Sequence, residues 1–77
     1  MTLITSYTIV DAFIATNKNR DDIIGDLCKD AEADPNFPVG KYPDQLEYFR
    51  QIGVAYPQLQ DAVILFYNEL QNFAPHK

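Results

Sequence analysis

The chain has 77 residues, a net charge of −5 and a hydrophobic share of 47%. That length leaves room for one domain, 1–77, whose small core buries ~60–65% of the surface of the unfolded chain, and five tyrosines with five phenylalanines exclude a disordered composition. Cys28 is the only cysteine, which excludes an intramolecular disulfide and fits a reducing cytoplasm.

In chain order, Met1 to Tyr7 lacks the basic flank of a secretory signal, so export is not expected. The longest apolar run, Ala62 to Tyr67, is far short of the ~18–20 residues that cross a bilayer. A first helix is predicted from about Thr5 to Thr16, with Tyr7, Val10 and Ile14 on one stripe and Phe13 and Ile9 beside it. Its Thr, Ile, Val and Tyr content equally suits a strand; length favours the helix. Asn17 to Arg20 reads as a polar turn, and Asn19 or Asp21 as a cap for the next element.

The second helix is expected from Asp21 or Asp22 to about Ala33, with Ile23, Ile24, Leu27, Cys28 and Ala31 on one face. Aspartates recur every fourth residue, at Asp22, Asp26, Asp30 and Asp34. On a helix that spacing stacks like charges, and Asp30 and Asp34 fall near the negative end of the helix dipole, so local electrostatics opposes half of the row. Gly25 implies a close-packed neighbour or a bend, and close helix packing is the simpler cause.

Asp34 to Tyr42, with Pro35, Pro38 and Gly40, forms the longest loop, from which Phe37 plugs the core. Pro43 opens a third helix carrying Leu46, Phe49 and Ile52 and ending at Gly53, a glycine stop followed by Val54. After Pro57 the last helix places Leu59, Val63, Phe66, Leu70 and Phe73 at alternating four- and three-residue steps. Ile64 and Leu65 fall off that stripe. Surrounding neighbours explain them more simply than an interface, and a homodimer through the last helix is the alternative.

Residues 1–38 carry seven acids against three bases, and residues 39–77 four against three. A surface acidic in its first half repels phosphate backbones and anionic lipids and favours a protein partner with a basic patch. The aspartate row is a poor metal site, because ligands must converge and a one-faced ridge diverges into solvent. No pair of carboxylates stands out as an acid and a base. Cys28 falls on an apolar face, and His76, the only histidine, has no second histidine to complete a nucleophilic arrangement. Gly25, Gly40 and Gly53 are isolated, so no phosphate loop and no cofactor is implied. Lys41, Tyr42, Tyr48 and Arg50 are the one neighbourhood of aromatic and basic residues suited to nucleic acid.

Asp22-Ile23-Ile24-Gly25-Asp26-Leu27, followed by Asp30, Asp34, Phe37 and Pro38, resembles the YozE family of small bacterial proteins. Tyr7, Tyr42 and Tyr48-Phe49 also occupy corresponding places; the resemblance extends over about residues 7–70, and the block 22–38 carries its specificity. It implies a SAM-like bundle of four to five short helices with no established enzymatic activity, a fold used for protein association and for nucleic-acid binding. Two departures stand out: Phe66-Tyr67 where the family commonly has tryptophan, and Cys28 where alanine is usual. The resemblance also suggests structural work for some aspartates. Asp34 suits an Asx turn, Asp22 a cap, and Asp26 a pair with Lys29 or Arg50.

The expectation is therefore an all-α, SAM-like single domain, non-enzymatic and cytoplasmic, of bacterial or mobile-element origin. It acts by binding a basic protein partner through Asp22, Asp26, Asp30 and Glu32. The alternative is nucleic-acid binding through Lys41, Tyr42 and Arg50; neither reading needs a metal.

Overall fold

The computed structural model describes residues 7–73, and within them the chain forms four α-helices, one 3-10 turn and no strand. α1 spans Ile9–Asn17, α2 Ile23–Ala33, α3 Tyr42–Ala55 and α4 Gln60–Asn72; the 3-10 turn, Pro57–Leu59, leads into α4. The chain is a small all-α bundle. The expected helix start at Thr5, and His76, lie outside the described residues.

α1 begins at Ile9, leaving Thr8 outside the helix where the spacing places it inside, because Thr8 and Asp11 form a capping box. The Asp11 amide donates to Thr8 Oγ1 and the Thr8 amide to Asp11 Oδ2, each at 3.0 Å. Tyr7 precedes this cap, and at 71% exposure it is not part of the buried stripe, which consists of Val10, Phe13 and Ile14. α2 is capped by Asp22, whose Oδ1 accepts the Gly25 amide at 3.0 Å; neither Asn19 nor Asp21 serves. Ile24, Leu27, Cys28 and Ala31 are buried as expected, whereas Ile23 faces outward.

Gly25 is required by the turn before it, and not by a neighbouring helix. A methyl there would run into the Arg20 carbonyl, whose carbon lies 2.7 Å from that position. The turn holding Arg20 is thus folded directly onto the first turn of α2. In the next loop Gly40 takes a φ of 79°, open to glycine and strained for other residues.

Pro43 sits in the first turn of α3 as predicted, but the helix does not stop at Gly53. Gly53 keeps helical backbone, and α3 continues to Ala55. The stop comes from Pro57, which drives Tyr56 out of the helical region to φ −128°, ψ 84°.

α1 packs on α2, α3 on α4, and α4 also meets α1 and α2. The core runs as a chain of rings: Phe73 meets Phe13 edge-on at 5.2 Å, Phe13 meets Phe66 at 4.9 Å, and Phe66 stacks on Phe49 at 4.2 Å. Phe37 plugs the end of this chain against Phe49 and Tyr48, as its place between prolines suggested. Val63, Phe66 and Leu70 form the buried stripe of α4. Ile64 is 56% and Leu65 43% exposed, so neighbours do not surround the middle of α4 as expected; α1, α2 and α3 cover one side of it only.

Among the described residues Gln45 is the one polar side chain buried completely. Its Nε2 donates to Asp11 Oδ1 at 2.7 Å, and its Oε1 accepts the Thr8 hydroxyl at 2.6 Å. The capping box of α1 is thereby locked to the first turns of α3, with both ends of the amide satisfied.

Candidate functional site

The aspartate row divides into two structural caps and two free acids. Asp22 caps α2 and accepts Arg20 Nη2 at 2.6 Å and Nε at 3.1 Å. The Gly25 amide, and after it the Arg20 guanidinium, hold the Asp22 carboxyl below its ordinary range. Asp34 closes the other end: its Oδ1 accepts the Asn36 amide at 2.9 Å, the Asx turn expected of it, and its Oδ2 accepts the Tyr48 hydroxyl at 2.9 Å. Between them Asp26 and Asp30 are exposed, and their carboxylates have no hydrogen-bond or ion-pair partner among the described residues.

Of the four expected contact residues, then, Asp22 and Glu32 are already occupied within the chain. Glu32 takes Lys18 Nζ at 2.8 Å, joining α2 to the end of α1. The anticipated pairing of Asp26 with Lys29 or Arg50 is absent. Arg50 is held instead by Glu47 on its own helix, through bonds of 2.9 and 2.7 Å, a nearer partner one turn away. That fork, with a bond from Gln51, lowers the Glu47 carboxyl to about 2.

α2 and α3 are the one pair of these helices that do not approach each other closely. What separates them is a cleft of about 480 Å3, lined by Leu27, Ile52, Ala55 and Leu59 and flanked by Tyr48 and Tyr56, with Asp30 and Asp34 on the α2 side. The Tyr48–Asp34 bond spans its upper end. Burial, reinforced by the Asp34 hydrogen bond, pushes the Tyr48 hydroxyl up to about 12, so it remains a donor to the carboxylate across the neutral range. Asp34 also borders a second cleft of about 300 Å3, where Tyr7, Ile14, Phe37 and Val39 meet Asp11 and Glu32. The last turn of α2 carries no base, so the negative end of its dipole adds to these acids.

An apolar cleft with the unpartnered Asp30 carboxylate on its rim suits an aliphatic side chain flanked by Lys or Arg. It lacks the convergent donors of a catalytic pocket. Among the described residues no three His, Cys, Asp or Glu side chains gather in a geometry that holds a metal ion. Cys28 is buried, and desolvation pushes its thiol up to about 12, far from the range of a nucleophile.

Tyr42 and Arg50, two members of the basic and aromatic neighbourhood, line one shallow groove with Leu46, Glu47 and Tyr67, while Lys41 stands outside that lining. Glu47 occupies the guanidinium there. None of the described helices is long and apolar enough to cross a membrane.

The roles of three residues were not read from the sequence. Arg20 bonds Asn17, Asp22 and, at 2.6 Å, Glu69 on α4, tying the α1–α2 corner to the far end of the chain. Tyr48 bridges the cleft. Gln45 lies one turn before Phe49 on the inward line of α3, a spacing that signalled its burial. In comparisons with known proteins, the chain matches no family, no curated protein and no solved structure.

Proposed function

We propose that this domain is a non-enzymatic protein-interaction module, a regulator or inhibitor that engages a basic surface of another protein. The observation that carries this is the cleft between α2 and α3, apolar within and bordered by Asp30, with Asp26 one turn away and equally free. Burying an aliphatic group there supplies affinity, while the unpaired carboxylates select a partner bearing Lys or Arg and speed encounter. The resemblance to the YozE family is compatible with this reading, since SAM-like bundles serve both protein association and nucleic-acid binding, and it goes with a bacterial or mobile-element origin and action in the cytoplasm.

The test is capture from a lysate of the native host by the tagged domain, its Asp26→Lys, Asp30→Lys double variant, and Leu59→Gln. Protein that binds the parent, elutes with salt, and is lost from both variants supports the proposal, provided their circular dichroism is unchanged. The same captured set on all three baits overturns it. Retention of single-stranded nucleic acid at low salt, lost on Lys41→Glu and Arg50→Glu, would replace it with the nucleic-acid reading.

A further inference from the structure

The α2–α3 cleft constrains the shape of what it binds as well as its charge. Leu27 forms the bottom, Ile52 and Leu59 are half-buried above it, and Ala55 and Tyr56 are exposed at the edge. Ile23 stands one turn before Leu27 on the same line of α2 and is 38% exposed, which prolongs this apolar strip toward the start of the helix. Charge is set along the α2 wall. Asp26 and Asp30 lie one turn apart there, both exposed and without an ion-pair partner among the described residues, and no Lys or Arg stands in the cleft lining.

We infer that the occupant is a basic amphipathic helix of a partner protein, lying along α2 with its apolar stripe in the cleft and Lys or Arg at four-residue spacing against Asp26 and Asp30. The inference rests on the protein-binding reading above and adds the secondary structure of the partner segment. Backbone chemistry selects the helix. The walls are flanks of α2 and α3, whose amides bond within each helix, so an extended segment laid between them would leave its own N–H and C=O groups against apolar side chains. A helix satisfies those groups internally and presents only side chains to the cleft.

Spacing sets the register. Side chains four apart on the incoming helix advance about 6 Å, the same step that separates Asp26 from Asp30 along α2. The 11 residues of α2 cover about 16 Å, so about three turns of a partner helix span the strip from Ile23 to the Tyr48–Asp34 bond. The incoming helix would thus lie where α2 and α3 fail to meet, with its cations over the acidic wall and toward the negative end of the α2 dipole.

The test titrates the whole chain with three synthetic peptides of about 14 residues, followed by amide NMR up to about 1 mM peptide. The first has leucines at i, i+3, i+4 and i+7, lysines flanking that stripe and alanine elsewhere; the second carries proline at two central positions, which breaks the helix; the third has glutamate for lysine. The expected result is that the first peptide shifts the Leu27, Ile52 and Ala55 amides, and that Kd rises about tenfold or more with the proline peptide, with the glutamate peptide, and on Asp30→Lys. Asn68→Lys with Gln71→Lys makes the same change in net charge at the far end of α4 and should leave Kd within about threefold; thermal melts confirm that each variant is folded. Equal binding of the proline peptide at the cleft overturns the helix and leaves the basic-partner reading standing. Equal binding of the glutamate peptide, or a Kd unmoved by Asp30→Lys, defeats both. The absence of any amide shift to about 1 mM overturns the helical occupant, while capture of the native partner judges the wider reading separately.

Discussion

Replacing Gln45 by leucine removes the only buried polar side chain among the described residues while nearly keeping its volume, so the effect isolates its hydrogen bonds. Two bonds are lost: one to the ionised Asp11, worth about 1.5–3 kcal/mol, and one from the Thr8 hydroxyl, worth about 0.5–1.5 kcal/mol. Leucine's own burial offsets part of this, and Thr8 and Asp11 are half-buried and keep their reciprocal capping bonds. The net expectation is a loss of about 2–3 kcal/mol, or roughly 8–24 °C in Tm for a domain of this size. Urea unfolding followed at 222 nm measures it, with an unchanged m-value required for a clean comparison. Gln45→Glu sharpens the test, since burial and the Asp11 carboxylate both raise the pKa of the new carboxyl in the folded state. A folded pKa above the unfolded value means the variant is least impaired below about pH 4, and loses stability as pH rises through the folded value. A leucine variant within about 0.5 kcal/mol of the parent, or a glutamate variant whose deficit ignores pH, would refute the view that this amide locks α1 to α3.

Gly25→Ala should destabilise by at least about 3 kcal/mol, because the obstructing atoms are backbone, whereas Gly53→Ala, where a methyl meets its neighbours at 3.6–3.7 Å, should stabilise the protein by about 0.5–1 kcal/mol; chemical denaturation of the two variants tests the contrast. Asp22 should titrate below the ordinary carboxylate range. Its cap is fully effective above the unfolded value and is lost as pH falls through the folded one, a course the Gly25 amide resonance follows by NMR. Arg20→Gln should raise that midpoint only part of the way, since the amide bond is the larger cause, and an Asp22 midpoint in the ordinary range would contradict the cap geometry. Cys28, pushed up to about 12, should react with a thiol reagent at pH 8 only as fast as the bundle opens; immediate stoichiometric reaction of the native protein would show that the core is not closed.

Much of the bundle was legible because hydrophobic spacing and proline positions are local properties. The buried line of Val63, Phe66 and Leu70 and the opening of α3 at Pro43 followed directly. Gly53 misled because glycine ends a helix through its backbone angle, which sequence does not display; the true stop lay in the Tyr56-Pro57 pair beyond it. The aspartate row was visible as a pattern, but its division was not. Separating caps from free acids needs the helix ends, and Asp22 and Asp34 are those ends. Gln45 hid behind its polarity, since its burial depends on Thr8 and Asp11 presenting complementary atoms 37 and 34 residues away. The cleft was illegible for a different reason: it comes from two helices failing to meet.

Phe66 sits where the two halves of the chain join, touching Phe13 from the first and Phe49 from the second, while Arg20 reaches Glu69 around the same junction. Neither half can close its ring chain by itself, so the molecule should melt in a single cooperative transition with no surviving subdomain. Any ligand that prefers the folded state, on whichever face it binds, must then raise that one transition. The melting temperature becomes a reporter for partners whose contact residues are unknown, and screening with it does not presume the acidic cleft.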